Sequence, residues 1–326
     1  VRLVLLLGAL CVLLFSASLF VGWGSVSFRD SFWAYLGEGN PLVVMVMQEL
    51  RLPRALLAVL IGASLGLAGA GMQGFLRNPL AEPGLVGTSA FAALGAVLSL
   101  QTGLAAAFPM ALPLAALGGA FLSVFLLVVL AGPGARTTTL ILSGVALSAA
   151  AGAMVSLALN LSRNPFAANE VVFWMMGSLA DRSFQHVMVA LPILALGAVL
   201  IWSSRKELDA LSLGEETAAS MGVHVRSLRV RLILGTACLS GAATSVAGMI
   251  GFVGLVVPHL LRRATGGMPS RLLLPSAVGG AALILAADIA VRVILPGRDL
   301  KLGVLTALIG TPVFLHLIWS WRAREA

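Results

Sequence analysis

The side chains able to do chemistry in this 326-residue chain are few, and most are basic. No HExxH or P-loop pattern occurs, and no paired carboxylates stand at helical spacing inside an apolar run, so no catalytic constellation of these kinds is present. The four histidines, His186, His224, His259 and His316, share no spacing, and Cys11 and Cys238 sit singly within apolar runs, so neither a metal site nor a cofactor is expected. What remains is charge in unusual places. Arg51 and Arg54 bracket Pro53, and Asp288 lies inside an apolar run, four residues before Arg292 on the same helix face, where a local ion pair is expected. An acid in lipid is costly and is kept mainly for function. Asp288 is the one acid so placed, which counts against an ion-coupled carrier.

The elements that must hold these residues are membrane spans. With 59% hydrophobic and 10% charged residues, the chain cannot be a soluble globular domain and reads as an all-α polytopic membrane protein. The net charge of +8 is spread singly or in small clusters between apolar runs, as topology determinants are, so no nucleic-acid partner is expected. The spans fall at Leu3 to Val21, Ala55 to Phe75, Leu85 to Leu100, Phe108 to Ala131, Thr139 to Leu159, Val187 to Trp202, Leu232 to Ile250, Leu272 to Ala287 and Leu302 to Trp319. A tenth piece, Phe252 to Leu261, reaches about half of the bilayer as a helix. The first run resembles a signal peptide but is long for one, and is read as a retained span. Counting the tenth piece, 13 basic residues lie inside and 8 outside, together the 21 of the chain, with both termini cytoplasmic. The expectation is a single transmembrane domain over residues 1–326, with 203–231 as its longest cytoplasmic segment.

Three local patterns carry more detail. Gly62, Gly66, Ala70 and Gly74 recur every fourth residue and give the second span a face for close packing. Arg77-Asn78-Pro79-Leu80-Ala81-Glu82-Pro83-Gly84 has two prolines and a glycine, so it is a loop of set geometry. Leu213 to Gly222 reads as a short amphipathic helix between two glycines, with Leu213, Thr217, Ala218 and Met221 on one face, suited either to docking a soluble partner or to a solvated linker. A weak internal echo, Gly71-Met72-Gln73-Gly74-Phe75 against Gly248-Met249-Ile250-Gly251-Phe252, closes the second and seventh spans. Five spans apart, the two copies would run in opposite directions, as in an inverted repeat.

Read in order, RLPR, GMQGFLRNPLAEPGLVG, LILSGVAL, FWMMGSL, LGEETAASMGV, GMIGFVGLVVPHLLR, ADIAVR and GVLTALIGTPVFL resemble the FecCD/BtuC family along nearly the whole chain. These are permease subunits of bacterial ABC importers for ferric siderophores, haem and vitamin B12. The resemblance implies a homodimer of ten-helix subunits in the bacterial inner membrane, with two separate ATPase subunits beneath and a periplasmic substrate-binding protein above. The chain itself would not hydrolyse ATP. Carried over by position, Arg51, Arg54 and Arg292 would meet acids of the binding protein. Asn78, Leu80, Thr137 and Thr138 would form the cytoplasmic gate, and Leu213, Gly214, Glu215, Glu216, Ala218, Met221 and Gly222 would couple to the ATPase.

Two departures stand out. The family's Glu-Leu-Pro-x-Gly run becomes Asp299-Leu300-Lys301-Leu302-Gly303, and a Ser-x-Gly-Ala pattern becomes Ser89-Ala90-Phe91-Ala92, which sets a phenylalanine near the expected pathway. An iron chelate, a ferric siderophore or haem, is the first expectation for the cargo and cobalamin the second. An ion-coupled secondary transporter is the rival class, and a membrane protein without transport role a third.

Overall fold

The computed structural model describes residues 2–22, 27–108, 110–132, 137–162, 165–294 and 300–325. Asp299 of the family comparison lies outside them, as do Arg136, Arg163 and Arg298, three of the 21 basic residues counted for topology, and the Thr137 side chain. The helices are α1 (Arg2–Phe20), α2 (Phe28–Tyr35), α3 (Pro41–Met45), α4 (Leu52–Phe75), α5 (Thr88–Gln101), α6 (Leu104–Ala107), α7 (Ala111–Ala131) and α8 (Thr137–Asn160). They continue with α9 (Pro165–Met175), α10 (Phe184–Ser203), α11 (Arg205–Leu211), α12 (Glu215–Ser220), α13 (Val225–Ala247), α14 (Val253–Arg262), α15 (Pro269–Ile294) and α16 (Leu302–Glu325). Each of the ten expected spans has its helix, and among the described residues seven helices are long and apolar enough to cross a bilayer.

The second span is longer than its apolar run. A π-helical turn over Val46–Arg51 joins α3 to α4 into one 35-residue helix from Pro41 to Phe75, so Arg51 and Arg54 sit within a helix and not at its head. Pro53 has no N–H to give, and in an unbroken α-helix its ring would press on the carbonyl of Glu49. The wider turn just ahead of it, in which Leu52 N donates to Met47 O, relieves that conflict.

Small residues decide how α4 packs. A Cβ on Gly62 would collide with the Gly280 carbonyl, one on Gly66 with the Ser276 carbonyl, and one on Gly69 with Gly254. The backbones of α15 and α14 therefore approach α4 directly, as the small-residue face predicts. The residue order of these contacts makes α4 and α15 antiparallel: Arg54 meets Asp288 at one end and Gly74 meets Pro269 at the other.

The bundle has two matched halves. The largely buried helices α4 and α13 pack on each other; α4 also packs on α15 and α14, and α13 on α7 and α5. Each is followed by a short helix, α5 or α14, and then by two longer ones. α13 starts at the α11 end, where Arg231 pairs with Glu207, so it runs opposite to α4, whose far end meets Leu208. Exchange of partners with reversal of direction is the signature of an inverted repeat. The pentapeptide echo marks matching positions but not matching shapes. The first copy is helical to Phe75, whereas the second lies beyond α13, with Gly248 at φ 73° and Phe252 at φ 68°. α14 then begins beside Gly69, part-way along α4, so its 10 residues cross only the half of the bundle nearest α11.

Candidate functional site

At the Arg54 end a compact ionic cluster joins three helices. Asp288, 1% exposed, receives Arg54 Nη2 at 2.8 Å on Oδ1 and Arg292 Nη2 at 2.8 Å on Oδ2. Arg54 Nε adds bonds of 2.9 and 3.2 Å, which makes its grip bidentate. The local Asp288–Arg292 pair is present as expected; its second arginine, 234 residues away in sequence, had no local signal. Arg292 also donates to Ser18 O at 2.9 Å, Val21 O at 2.6 Å and Ser18 Oγ at 2.6 Å, thereby collecting the orphan carbonyls at the end of α1. Arg51 does likewise, donating to Phe20 O at 3.1 Å and Leu19 O at 3.4 Å, with the backbone of Gly22 laid against its guanidinium. Both Arg51 and Arg292 are buried, while the Arg54 side chain keeps 21% of its surface. Tyr35 hydroxyl donates to Leu19 O at 3.0 Å, and burial pushes its phenol pKa up to about 12 despite the opposing pull of Arg51 and Arg292.

The opposite end is built the other way round. α11 anchors the polar segment: Leu208 and Leu211 are buried, Asp209 Oδ1 accepts Ser270 N at 2.8 Å, and Arg231 Nη2 meets Glu207 Oε2 at 2.6 Å. Gly214 at φ 116° turns the chain into α12, and Gly222 at φ 86° ends it, with Gly222 N on Ala219 O and Val223 N on Ala218 O. The short helix lies between the two glycines, but its faces differ from expectation. Ala218 is fully buried against the bundle, whereas Leu213 and Met221 stand 63% and 61% exposed. At only six residues, α12 cannot bring both flanking apolar side chains onto the face that Ala218 buries. Glu215 is half-buried and Glu216 exposed on its first turn.

Between the ends, the linker after α4 is held from several sides. Asn78 Oδ1 accepts Leu80 N at 2.9 Å, an Asx turn that fixes the NPLAEP loop. Asn78 is exposed and Leu80 half-buried; Thr138 is exposed on the first turn of α8, and no hydrogen bond joins it to Asn78 among the described residues. Further along, Ser123 Oγ donates to Val86 O at 3.1 Å, and Thr88 and Ser240 hydroxyls lie 2.7 Å apart. Glu82 Oε1 accepts the N–H of Phe252 at 3.0 Å, so the carboxylate from one half caps the helix start of the other. Gln73, fully buried, donates to Leu255 O at 3.1 Å and accepts from Arg262 Nη2 at 2.8 Å. Neither Glu82 nor Gln73 was singled out by sequence. Of the two departures, Phe91 on α5 is buried, and its backbone carbonyl lies against Gly119 of α7. Lys301 Nζ lies 5.4 Å from the ring centroid of Phe173.

Comparison with known proteins gives this arrangement its context. The model of the FecCD transport family matches residues 10–320. The vitamin B12 import permease BtuC of Vibrio cholerae is 44% identical over 286 residues, 86% of this chain and 84% of its own. The iron(III) dicitrate permease FecD of Escherichia coli is 41% identical over 278 residues, 85% and 86% of the two chains. The hemin permease HmuU of Yersinia pestis is 36% identical over 335 aligned positions, 99% and 97% of the two chains. A metal-chelate type ABC transporter solved in an inward-facing conformation superposes with a TM-score of 0.87 at 30% identity, covering 98% of this chain and 99% of that one.

Proposed function

The chain belongs to the FecCD transport family, and we propose that, as an ABC-importer permease, it moves an iron chelate, a ferric siderophore or haem, across the bacterial inner membrane. The end-to-end match to a metal-chelate type transporter supports a metal-chelate cargo, and the observation that favours iron within that class is the hemin relative aligned over 99% of the chain, with the iron(III) dicitrate relative beside it. A second reading, a corrinoid, is favoured by the 44% identity to a vitamin B12 permease. Both are bulky metal chelates that demand a wide path, so the path alone does not choose between them. Uptake into proteoliposomes decides. Ferric siderophore or haem should be accumulated with ATP present, and unlabelled cobalamin should not compete; competition by cobalamin alone would reverse the order of the two readings.

In this reading the permease works as a homodimer with both termini cytoplasmic. Two ATPase subunits receive α12, whose exposed Leu213 and Met221 form a knob shaped by Gly214, Glu215, Glu216, Ala218 and Gly222. Because Ala218 seats the knob and α11 is bonded to α13 and α15, a push on α12 is transmitted to the bundle and not absorbed by a loose loop. Asn78, Leu80, Thr137 and Thr138 close the cytoplasmic side of the path. At the outer end Arg54, the arginine with surface left, reaches an acidic side chain of the binding protein, and Arg51 and Arg292 hold the platform beneath it.

A further inference from the structure

We propose that the crevice behind α1 is a phospholipid site, which takes an acyl chain into its apolar depth and an anionic headgroup at its mouth. α1 is poorly packed for a bundle helix: among its residues only Ser18 is fully buried, and its firm ties, to Arg51 and Arg292, are at one end. Behind the remainder runs an apolar cavity of about 470 Å³ between α1, α14, α15 and α16, within the roughly 300–1,000 Å³ typical of ligand sites. At the α11 end a second, more polar cleft of about 550 Å³ opens beside the start of α1.

The two spaces are consecutive. α1 lines the polar cleft with Leu3 and the apolar one with Leu7, Leu10 and Leu14, a single stripe at helical spacing. α15 does the same with Leu274 at the mouth, then Gly279, Leu283 and Ala286 deeper in. From Leu3 to Leu14 the stripe covers about 16 Å of helix, close to one leaflet of a ~30 Å hydrocarbon core. The apolar cavity is therefore as deep as an acyl chain reaches when its headgroup stays at the surface.

Charge at the mouth supplies the second half of the match. Arg271 is exposed at the rim and has no hydrogen bond or ion pair among the described residues. Asp209 already caps Ser270 N beside it, so a headgroup phosphate would be held by the Arg271 guanidinium and not by the helix end. The half-exposed Leu10 and the exposed Leu260, 44% and 62%, line the crevice and would be covered by the chain.

The test is native mass spectrometry of the full permease with its ATPase subunits. Delipidated wild-type complex should take up one added phosphatidylglycerol per permease chain, in preference to phosphatidylethanolamine. Ala286→Phe, which fills the depth of the crevice, should weaken retention about tenfold or more, because several methylenes lose their burial. Val199→Phe, on the exposed face of α10, should leave retention unchanged. Arg271→Gln should keep a lipid bound and lose the preference for the anionic headgroup. Wild-type complex that takes up no phosphatidylglycerol overturns the proposal, and so does undiminished retention in Ala286→Phe. Efficient cross-linking of two copies through cysteine placed at Leu10 also overturns it, since a second chain would then fill the crevice. Should Ala286→Phe fail to fold, the wild-type measurement decides alone.

Discussion

The two ends of the bundle treat their side chains in opposite ways. At the Arg54 end, charge is turned inward: Asp288 binds two arginines, and Arg292 and Arg51 grip the carbonyls that end α1. At the α12 end, apolar groups are turned outward, with Leu213 and Met221 exposed beside a buried Ala218. A buried guanidinium already has its partners, whereas an exposed leucine and methionine on a polar segment have theirs still to find. Both regions look like docking surfaces in the sequence; in the structure the first has most of its charge bonded inward, and the second has its apolar side chains turned outward.

The contrast can be broken most forcefully at Asp288. Asp288→Ala leaves Arg292 buried without its carboxylate, and loss of one partner of a buried pair typically costs about 3–5 kcal/mol. Thermal unfolding in detergent should show a marked fall in Tm, with α1 loosened first by hydrogen exchange. A Tm near that of the wild type would mean that the clamp is not holding the Arg54 end of the bundle.

At the knob, Leu213→Glu combined with Met221→Glu should leave Tm unchanged, since both side chains are already exposed, while weakening ATPase association by about tenfold or more, as expected for loss of interface anchors. A shift in Tm with association intact would put the pair in the fold and not in an interface. A smaller effect is expected from Arg54→Ala. Arg292 still pairs with Asp288, so Tm should fall by less than in Asp288→Ala, while docking of the binding protein weakens several-fold in a salt-dependent way. Equal docking by both proteins would leave Arg54 as part of the clamp alone.

The smallest signal sharpens how dry the clamp is. Tyr35 is the single tyrosine of the chain, so its ionisation can be followed by ultraviolet absorbance. Burial raises its pKa from 10.0 to about 12. The unfolded phenol loses its proton first as pH rises, so the stability held at neutral pH drains away between these two values. A midpoint near 10 would show that water reaches the cluster.

Much of the fold was legible because apolar runs of span length report helices directly, and each of the ten found its helix. The second span was cut short at Ala55 because Glu49, Arg51 and Pro53 interrupt the run, although the π-helical turn carries the helix through them. Glycines flanking α12 announced its ends, because φ values of 116° and 86° favour residues without a Cβ. Which of its side chains face the bundle depends on α11 and α13, and no local pattern encodes that. The bonds from Glu82 to Phe252 and from Gln73 to Arg262 span 170 and 189 residues, beyond any periodicity in one segment. Likewise, RLPR was visible as misplaced charge, while the ring of carbonyls that absorbs it was not.

Transport driven through α12 by a separate ATPase is tested most directly in sealed proteoliposomes holding the permease, with ATPase and binding protein supplied. Labelled ferric chelate should accumulate only when ATP and the ATPase subunit are both present, and Leu213→Glu with Met221→Glu should abolish accumulation. Uptake by the permease alone, driven by an ion gradient without nucleotide, would contradict the account.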